Sequence, residues 1–443
     1  MRDYAKQLYR RVESLRVRIE NLSALRALVA LPPDHDISAR QWNILEAELK
    51  VIAARLLSQL NTGARAYLEQ SQNRLAAQAL NALTGMIELE LSKAYTFFDT
   101  YMDILTQRRT PELGRLLAGC DVLALDGIRK NHPALALIEP PLVYCDRGFG
   151  ASTLREGIRI SGRSVNPMPL VQIPYSRLRE KCNLTSILHE VGHEAMVRLG
   201  LRTALPKAFR QALERAGAPA AVGDLFALWS SEIGPDFWTF CCCGLAAAGA
   251  MREILTLPPS HIFHLSWADP HPMPYLRVRL CFDWCRQMWG SGLWDDWETE
   301  WQALYPLPMA SSEAKEFLSQ GLKYLPVISR VLLRGKFPSL NGKTIPDLFD
   351  FAPLSPVELR RRLPSQRQGK LNLRGLSPAG HLAVFRLVKE QSQLSEEQLD
   401  EVMKKWLLKL SARQPSSLQS SSLQARKTAE DLGARGQGLL PRP

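Results

Sequence analysis

Two histidines stand four residues apart in the segment HEVGH, where they are His189 and His193. If this segment is helical, four residues make slightly more than one turn, so both imidazoles lie on one face. Imidazoles placed in this way can ligate one metal ion. Glu190 follows the first histidine, where a carboxylate can reach a water on the metal without ligating the metal itself. The spacing therefore predicts a metal site with a general base beside it.

The residues around HEVGH favour a helix. Asn183 is expected to cap its start, and Gly200 is expected to end it. Apolar residues recur at helical spacing at Leu184, Ile187, Leu188, Val191 and Ala195. The HExxH pattern is typical of zinc hydrolases. It also fits a partly buried helix with two hydrogen-bonded histidines and no metal, so the other ligands must decide between the two interpretations.

A catalytic zinc takes three protein ligands and keeps one open position. The segment ALWSSEIGPDFWTF places Glu232 and Asp236 four residues apart among apolar and aromatic residues. A buried carboxylate without a partner is costly, and a metal is one such partner. The alternative is a helix end on which both acids are exposed.

At this point the sequence resembles the gluzincin metallopeptidases, in which an E-x-x-x-D pattern follows HExxH. The resemblance implies a bound Zn²⁺, with Glu232 as its third ligand and Asp236 hydrogen-bonded to His189 from behind. Gly234 and Pro235 lie between the two acids and depart from a regular helix. We expect the helix either to kink there or to begin near Pro235.

A second motif lies in DPHPMPYLR, which is similar to the H-P-x-x-x-x-R segment of the gluzincins that include the prenyl-protein endopeptidases and their heat-shock relatives. The resemblance covers about residues 165–285. It implies that His271 faces the site and steadies an oxyanion, and that Arg277 holds this segment or Glu232 in place. Tyr275 and Tyr175 are further candidate oxyanion donors. Most of those relatives are membrane proteins, whereas no membrane span is apparent here.

These motifs predict a zinc-dependent endopeptidase that acts on a peptide or protein substrate with Glu190 as general base. One alternative is a non-catalytic interaction scaffold that keeps a degenerate metalloprotease core, although the intact Glu190 argues against it. Another is a basic nucleic-acid-associated protein with an incidental HExxH. A zinc hydrolase that acts on something other than peptides also remains open.

The predicted fold is mainly α with a small β-sheet, an α+β zincin-like catalytic core with a helical N-terminal domain. Hydrophobic periodicity predicts a helical bundle or coiled-coil domain over residues 1–130, through which the chain can oligomerise. The metallopeptidase domain is expected over 131–335. A mixed, partly helical region follows over 336–412, and a disordered tail over 413–443. The segment PLVQIPYSRL is interpreted as an edge strand able to hold an extended substrate.

The composition limits the partners and the cellular compartment that we expect for the protein. A net charge of +12 permits contact with nucleic acid or anionic membranes, but no nucleic-acid-binding motif is found and a solvated basic surface is preferred. The eight cysteines form no CxxC pair, which suits a reducing compartment. The N-terminal segment is charged throughout and lacks the apolar region of a signal peptide. We therefore expect a cytoplasmic protein.

Overall fold

The computed structural model describes residues 2–70, 73–148, 150–161, 164–363 and 371–412. The prediction of a mainly α fold with a small sheet is confirmed, while the predicted tail over 413–443 lies outside the described residues. The helices are α1 Arg2–Glu20, α2 Leu25–Val29, α3 Ala39–Glu69, α4 Arg74–Thr106, α5 Pro111–Ile128, α6 Pro133–Ala136, α7 Thr185–Arg198, α8 Leu201–Arg215, α9 Ala220–Cys243, α10 Leu245–Ile254, α11 Pro259–Ile262, α12 Pro274–Trp289, α13 Leu293–Leu304, α14 Ser312–Gly321, α15 Leu325–Arg334, α16 Pro356–Arg360, α17 Pro378–Glu390 and α18 Glu396–Ser411. The strands are β1 Leu142–Asp146, β2 Ser152–Leu154, β3 Arg159–Ser161, β4 Ser164–Val165 and β5 Leu170–Pro174.

The chain forms two compact units. The first contains residues 1–118 and 154–170, and the second contains residues 119–153 and 171–443. The first unit thus ends before the predicted boundary at 130 and takes in a later segment that includes β3 and β4. The second unit holds both the predicted metallopeptidase region and the region 336–412, which does not form a compact unit of its own.

In the first unit, α3 and α4 pack along one another. Their buried residues recur at three- and four-residue spacing, from Leu45 to Leu60 in α3 and from Leu80 to Leu105 in α4. Ser38 and Gln41 form a capping box at the start of α3, so the backbone groups of that end are satisfied. These helices confirm the helical character predicted for the N-terminal region.

A three-stranded sheet, most of whose residues belong to the second unit, has the order β1-β5-β2. The interpretation of β5 as an edge strand is therefore wrong, because β5 is flanked on both sides. Its burial explains this position: four of its five residues are buried, as a central strand requires. The polar Gln172 is paired within the sheet region, accepting a hydrogen bond from the Ser152 hydroxyl at 3.1 Å.

Helix α9 is the central element of the second unit. It contacts α7, α8, α10, α12, α14 and α17, and nearly all of its residues from Leu225 onward are buried. This all-round burial follows from a sequence that is apolar and aromatic on every face. Acidic side chains on such a helix need specific partners. Among the described residues, no helix combines the length and the apolar character that crossing a membrane requires.

Candidate metal centre

The HEVGH segment lies within α7, so the predicted helix is confirmed. Gly200 follows its end with a φ of 66°, a left-handed conformation that suits glycine and confirms the predicted stop. The predicted cap is wrong, however, since α7 begins at Thr185 and no side chain caps it. Asn183 instead bonds sideways: its amide nitrogen donates to Glu253 at 3.2 Å, and its oxygen accepts from Arg386 at 3.0 Å. Hydrogen bonds to Glu253 and Arg386 therefore replace the capping bond predicted for Asn183.

Helix α9 runs unbroken through Gly234 and Pro235, so the expectation that it begins near Pro235 is wrong. Proline is accommodated where α9 meets α7 at Gly192, the fourth residue of HEVGH. A Cβ built on Gly192 would lie 3.1 Å from Pro235 Cα and 3.3 Å from Pro235 O. The absence of a side chain at Gly192 thus allows a close approach of the two helices, which brings their polar side chains together.

The three predicted ligands converge between these helices. His189 Nε2 lies 3.2 Å from His193 Nε2 and 3.3 Å from Glu232 Oε2, and His193 Nε2 lies 3.6 Å from Glu232 Oε1. Ligand atoms held about 2.05 Å from a tetrahedral zinc lie about 3.3 Å from one another. The spacing of the three residues therefore suits a metal ion. Within the described part of the chain, this is the one group of three or more His, Cys, Asp or Glu residues whose ligand atoms cluster in this way.

Asp236 supports the first ligand. Its Oδ1 lies 2.8 Å from His189 Nδ1, as the resemblance implied. A carboxylate at Nδ1 favours the tautomer that carries its proton there, which leaves the Nε2 lone pair available to a metal. Four residues, slightly more than one helical turn, separate Glu232 from Asp236, so α9 presents both carboxylates on the face toward α7.

Arg277 holds Asp236 more closely than Glu232. Its Nε and one terminal nitrogen donate to the two oxygens of Asp236 at 2.5 and 2.8 Å, whereas Glu232 Oε2 lies 3.8 Å away. This two-point contact fixes the plane of the Asp236 carboxylate. The sequence placed Arg277 near the site, but it did not distinguish between these two acids.

The electrostatics of the centre follow from burial and from three acids. Burial alone would lower the pKa of His189, but the carboxylates of Asp236 and Glu232 outweigh it and raise that pKa to about 10. Burial and the neighbouring His189 lower the pKa of His193 to about 4. Burial opposes ionisation of Glu232, yet His189, His193 and Arg277 hold the pKa of Glu232 below its usual range. Without a metal, the centre thus holds one protonated and one neutral imidazole.

Glu190 is buried, with 5% of its surface exposed. Burial raises the pKa of Glu190, and the charge of Glu232 adds to that rise while His189 opposes it. A carboxylate whose pKa is moved toward neutrality can accept and return a proton at physiological pH. The position and environment of Glu190 suit the predicted general base.

The structure also brings His271 to the centre. Its Nε2 lies 3.9 Å from Glu232 Oε2, although the residue is well exposed, and its Nδ1 lies 2.7 Å from Asp269 Oδ1. The Asp269 side chain also accepts from the His271 backbone at 2.9 Å. The contact between Nδ1 and Asp269 directs the other ring nitrogen, Nε2, toward the centre. Sequence reasoning missed Asp269, for which the signal was an acid two residues before the histidine.

The two tyrosines differ in setting. Tyr275 is 2% exposed, its ring lies against Phe263 and Trp301, and its hydroxyl accepts from Arg279 at 3.5 Å. Tyr175 is half exposed in a 3₁₀ turn directly after β5. None of these contacts is with a residue of the centre, and the oxyanion role of either tyrosine stays a prediction.

Comparison of the chain with protein-family models, curated proteins and solved structures finds no match.

Proposed function

We propose that this protein is a zinc-dependent endopeptidase. The observation that supports the proposal is the triangle of His189 Nε2, His193 Nε2 and the Glu232 carboxylate, whose sides of 3.2 to 3.6 Å match the ligand spacing of a tetrahedral zinc. The His193 side chain is 25% exposed, so solvent reaches the ligands. Three protein ligands with an open position are the pattern of a catalytic zinc rather than a structural one.

When bound, Zn²⁺ lowers the pKa of a water and polarises the carbonyl of a peptide bond. Glu190 accepts a proton from the attacking water and returns it to the leaving amine. His271, oriented by Asp269, donates a hydrogen bond to the oxygen that becomes negative. Asp236, held by Arg277, keeps the proton of His189 on Nδ1. Contacts within the protein hold Asp236 and orient His271, which supports the proposal.

Glu190→Gln separates the chemistry from the metal. The substitution keeps the shape of the side chain but removes its basicity. We expect the zinc content to stay the same and the cleavage of a fluorogenic peptide library to fall at least about 100-fold. Glu214→Gln, at an exposed position of α8, is the matched control and should leave cleavage unchanged.

Two outcomes count against the proposal. Zinc bound by a wild type that cleaves no peptide would favour the scaffold interpretation. Cleavage that persists in Glu190→Gln would assign the base to another residue.

A further inference from the structure

Helix α4 of the first unit carries an apolar row on its exposed side. Leu75, Met86 and Leu89 are 77%, 65% and 66% exposed, which places them among the most exposed large apolar residues of the described chain. Ala79 and Ala82 lie between them and are exposed as well. A single exposed leucine is ordinary on a protein surface, whereas a continuous apolar row marks an interaction site.

The spacing of this row is that of a coiled coil. Its members follow one another at intervals of four, three, four and three residues, an average of about 3.5. Such a row stays on one side of a helix, and here it spans about 21 Å. The buried residues of α4, such as Leu80 and Ile87, pack within the first unit, so the row forms a second, outer seam on the same helix.

The outer seam is complementary to a second copy of itself that runs in the opposite direction. With a two-fold axis at the level of Thr84, Met86 of each copy lies opposite Ala82 of the other, and Leu89 lies opposite Ala79. Each large side chain then meets an alanine, which fills the space between the two helices without a clash. A two-fold interface repeats each contact, so both halves of the seam are used.

Charge favours a second copy as the occupant. A two-fold axis brings identical groups together, so a charge beside the axis would repel its own copy. Leu83 and Gly85 flank the seam at the axis and are uncharged. The first charge along the seam is Lys93, and Glu90 of the same helix lies 2.7 Å from it. In the antiparallel pair, Lys93 lies opposite Leu75 of the other copy, where its aliphatic stem covers the leucine.

Gly85 also indicates a close approach by another helix. Glycine in the middle of a helix costs stability relative to alanine, so its presence in α4 calls for a reason. A Cβ built on Gly85 meets no atom of the described residues within 4 Å, whereas one built on Gly63 of α3 would collide with Leu83. Packing inside the chain therefore explains Gly63 but not Gly85. In the antiparallel pair Gly85 lies beside the axis, where the two helix backbones come closest.

We propose that the outer seam of α4 binds a second copy of this chain and forms an antiparallel, two-fold dimer. One helix pair over about 21 Å buries less than a standard interface of about 1,600 Å², so the dimer has a Kd between about 1 and 100 µM. The inference is independent of the proposed endopeptidase function.

Sedimentation velocity of the full chain, from about 1 to 300 µM, tests the dimer. The wild type should pass from monomer to dimer over this range. Ala82→Glu buries a charge in the seam and should weaken the dimer at least about 100-fold. Ala54→Glu, at an exposed position of α3, is the matched control and should dimerise like the wild type. Both substitutions exchange one good helix former for another, so circular dichroism should show that both variants are folded.

A mixture of two variants tests the register. Met86→Lys alone should weaken the dimer at least about 10-fold. Position 82 of one copy lies opposite position 86 of the other, so Ala82→Glu mixed with Met86→Lys should form a heterodimer at concentrations where each variant alone is monomeric. A variant that is merely misfolded would not be rescued in this way.

Gly85→Ala gives two effects of opposite sign. It should raise the Tm of the chain, because the new Cβ meets open space in a helix that favours alanine. It should also raise the Kd of the dimer about 10-fold, because the same Cβ keeps the two helices apart.

Three outcomes would overturn the proposal. The first is a wild type that stays monomeric at about 300 µM, and the second is a dimer that survives Ala82→Glu. The third is a mixture of Ala82→Glu and Met86→Lys that forms no heterodimer.

Discussion

Two clusters of buried charge in the second unit are built in different ways. The first surrounds Arg386, which is 1% exposed. Arg386 lies 2.6 Å from Glu253 and 3.4 Å from Glu390, and Lys389 lies 3.0 Å from Glu253. Arg252 adds a further contact of 2.9 Å to Glu390. Arg252 and Lys389 also pair with Glu300 and Glu396, so every carboxylate of this cluster has a cationic partner supplied by the protein itself.

At the metal centre, by comparison, part of the positive charge comes from an imidazole, because Asp236 and Glu232 raise the pKa of His189. The one arginine there, Arg277, donates to both oxygens of Asp236 and lies 3.8 Å from Glu232. Glu232 faces two imidazoles, and Glu190 is buried beside them. A divalent cation at the imidazole nitrogens would take the place of the His189 proton beside Glu232. The comparison separates an arginine held by fixed carboxylates from a group of residues that could hold a metal ion.

Arg386→Met should have the largest effect on stability. Removal of this guanidinium leaves Glu253 and Glu390 with fewer partners, so the free energy of unfolding should fall by about 3 kcal/mol. Urea unfolding with and without zinc measures the change, and the loss should be the same in both conditions. Arg361→Met, at an exposed ion pair with Glu358, should cost less than about 1 kcal/mol. If Arg386→Met lowered the free energy of unfolding only when zinc is present, the two clusters would not be independent.

Asp236→Asn should weaken zinc binding about 10- to 100-fold, because His189 loses the charged carboxylate that favours its Nδ1–H tautomer and Arg277 loses one of its two acceptors. Competition with a chromophoric chelator measures the affinity. Asp224→Asn, at an exposed position of the same helix, is the control and should leave the affinity unchanged. An unchanged affinity in a folded Asp236→Asn protein would show that the contact with His189 does not support the metal. Arg277→Lys should shift the affinity in the same direction by a smaller factor if Asp236→Asn does not fold.

The pH dependence of zinc binding should follow the two imidazoles. Between the pKa of His193, about 4, and that of His189, about 10, the metal-free centre carries one imidazole proton that zinc must displace. The apparent affinity should therefore rise about tenfold per pH unit from about pH 5 to about pH 9. The free energy of unfolding of the metal-free protein should instead fall as the pH rises. A raised pKa of His189 contributes stability that is present below its ordinary value of 6.5 and is lost as the pH rises toward 10. A zinc affinity that does not change with pH would contradict this assignment.

The sequence predicted the parts of the site that depend on local spacing. The i, i+4 pairs His189 with His193 and Glu232 with Asp236 need nothing beyond a helix to share a face. In the structure, His271 and Arg277 of the later motif lie beside the same residues. The histidine pair and the acidic pair come together because Gly192, which has no side chain, lets Pro235 of α9 pack closely against α7. No short sequence pattern predicts that contact between helices. The same proline was expected either to kink α9 or to mark its start, and the second alternative is wrong because α9 continues through Pro235.

Other failures also came from partners distant in the chain. Asn183 was predicted to cap α7, but its side-chain oxygen accepts a hydrogen bond from Arg386, about two hundred residues later in the chain. The strand β5 looks like an edge strand because strand order cannot be read from one short segment. The predicted boundary at 130 missed the return of residues 154–170 to the first unit. Tertiary contacts decide each of these features.

The central claim is that His189, His193 and Glu232 bind one zinc ion, and elemental analysis of the purified protein tests it most directly. The wild type, prepared without chelator, should contain about one zinc per chain, and His193→Ala and Glu232→Ala should lose it. His261→Ala and Glu214→Ala, at exposed positions of the same unit, should keep it. A folded wild type without zinc, or zinc that remains in both ligand variants, would contradict the account.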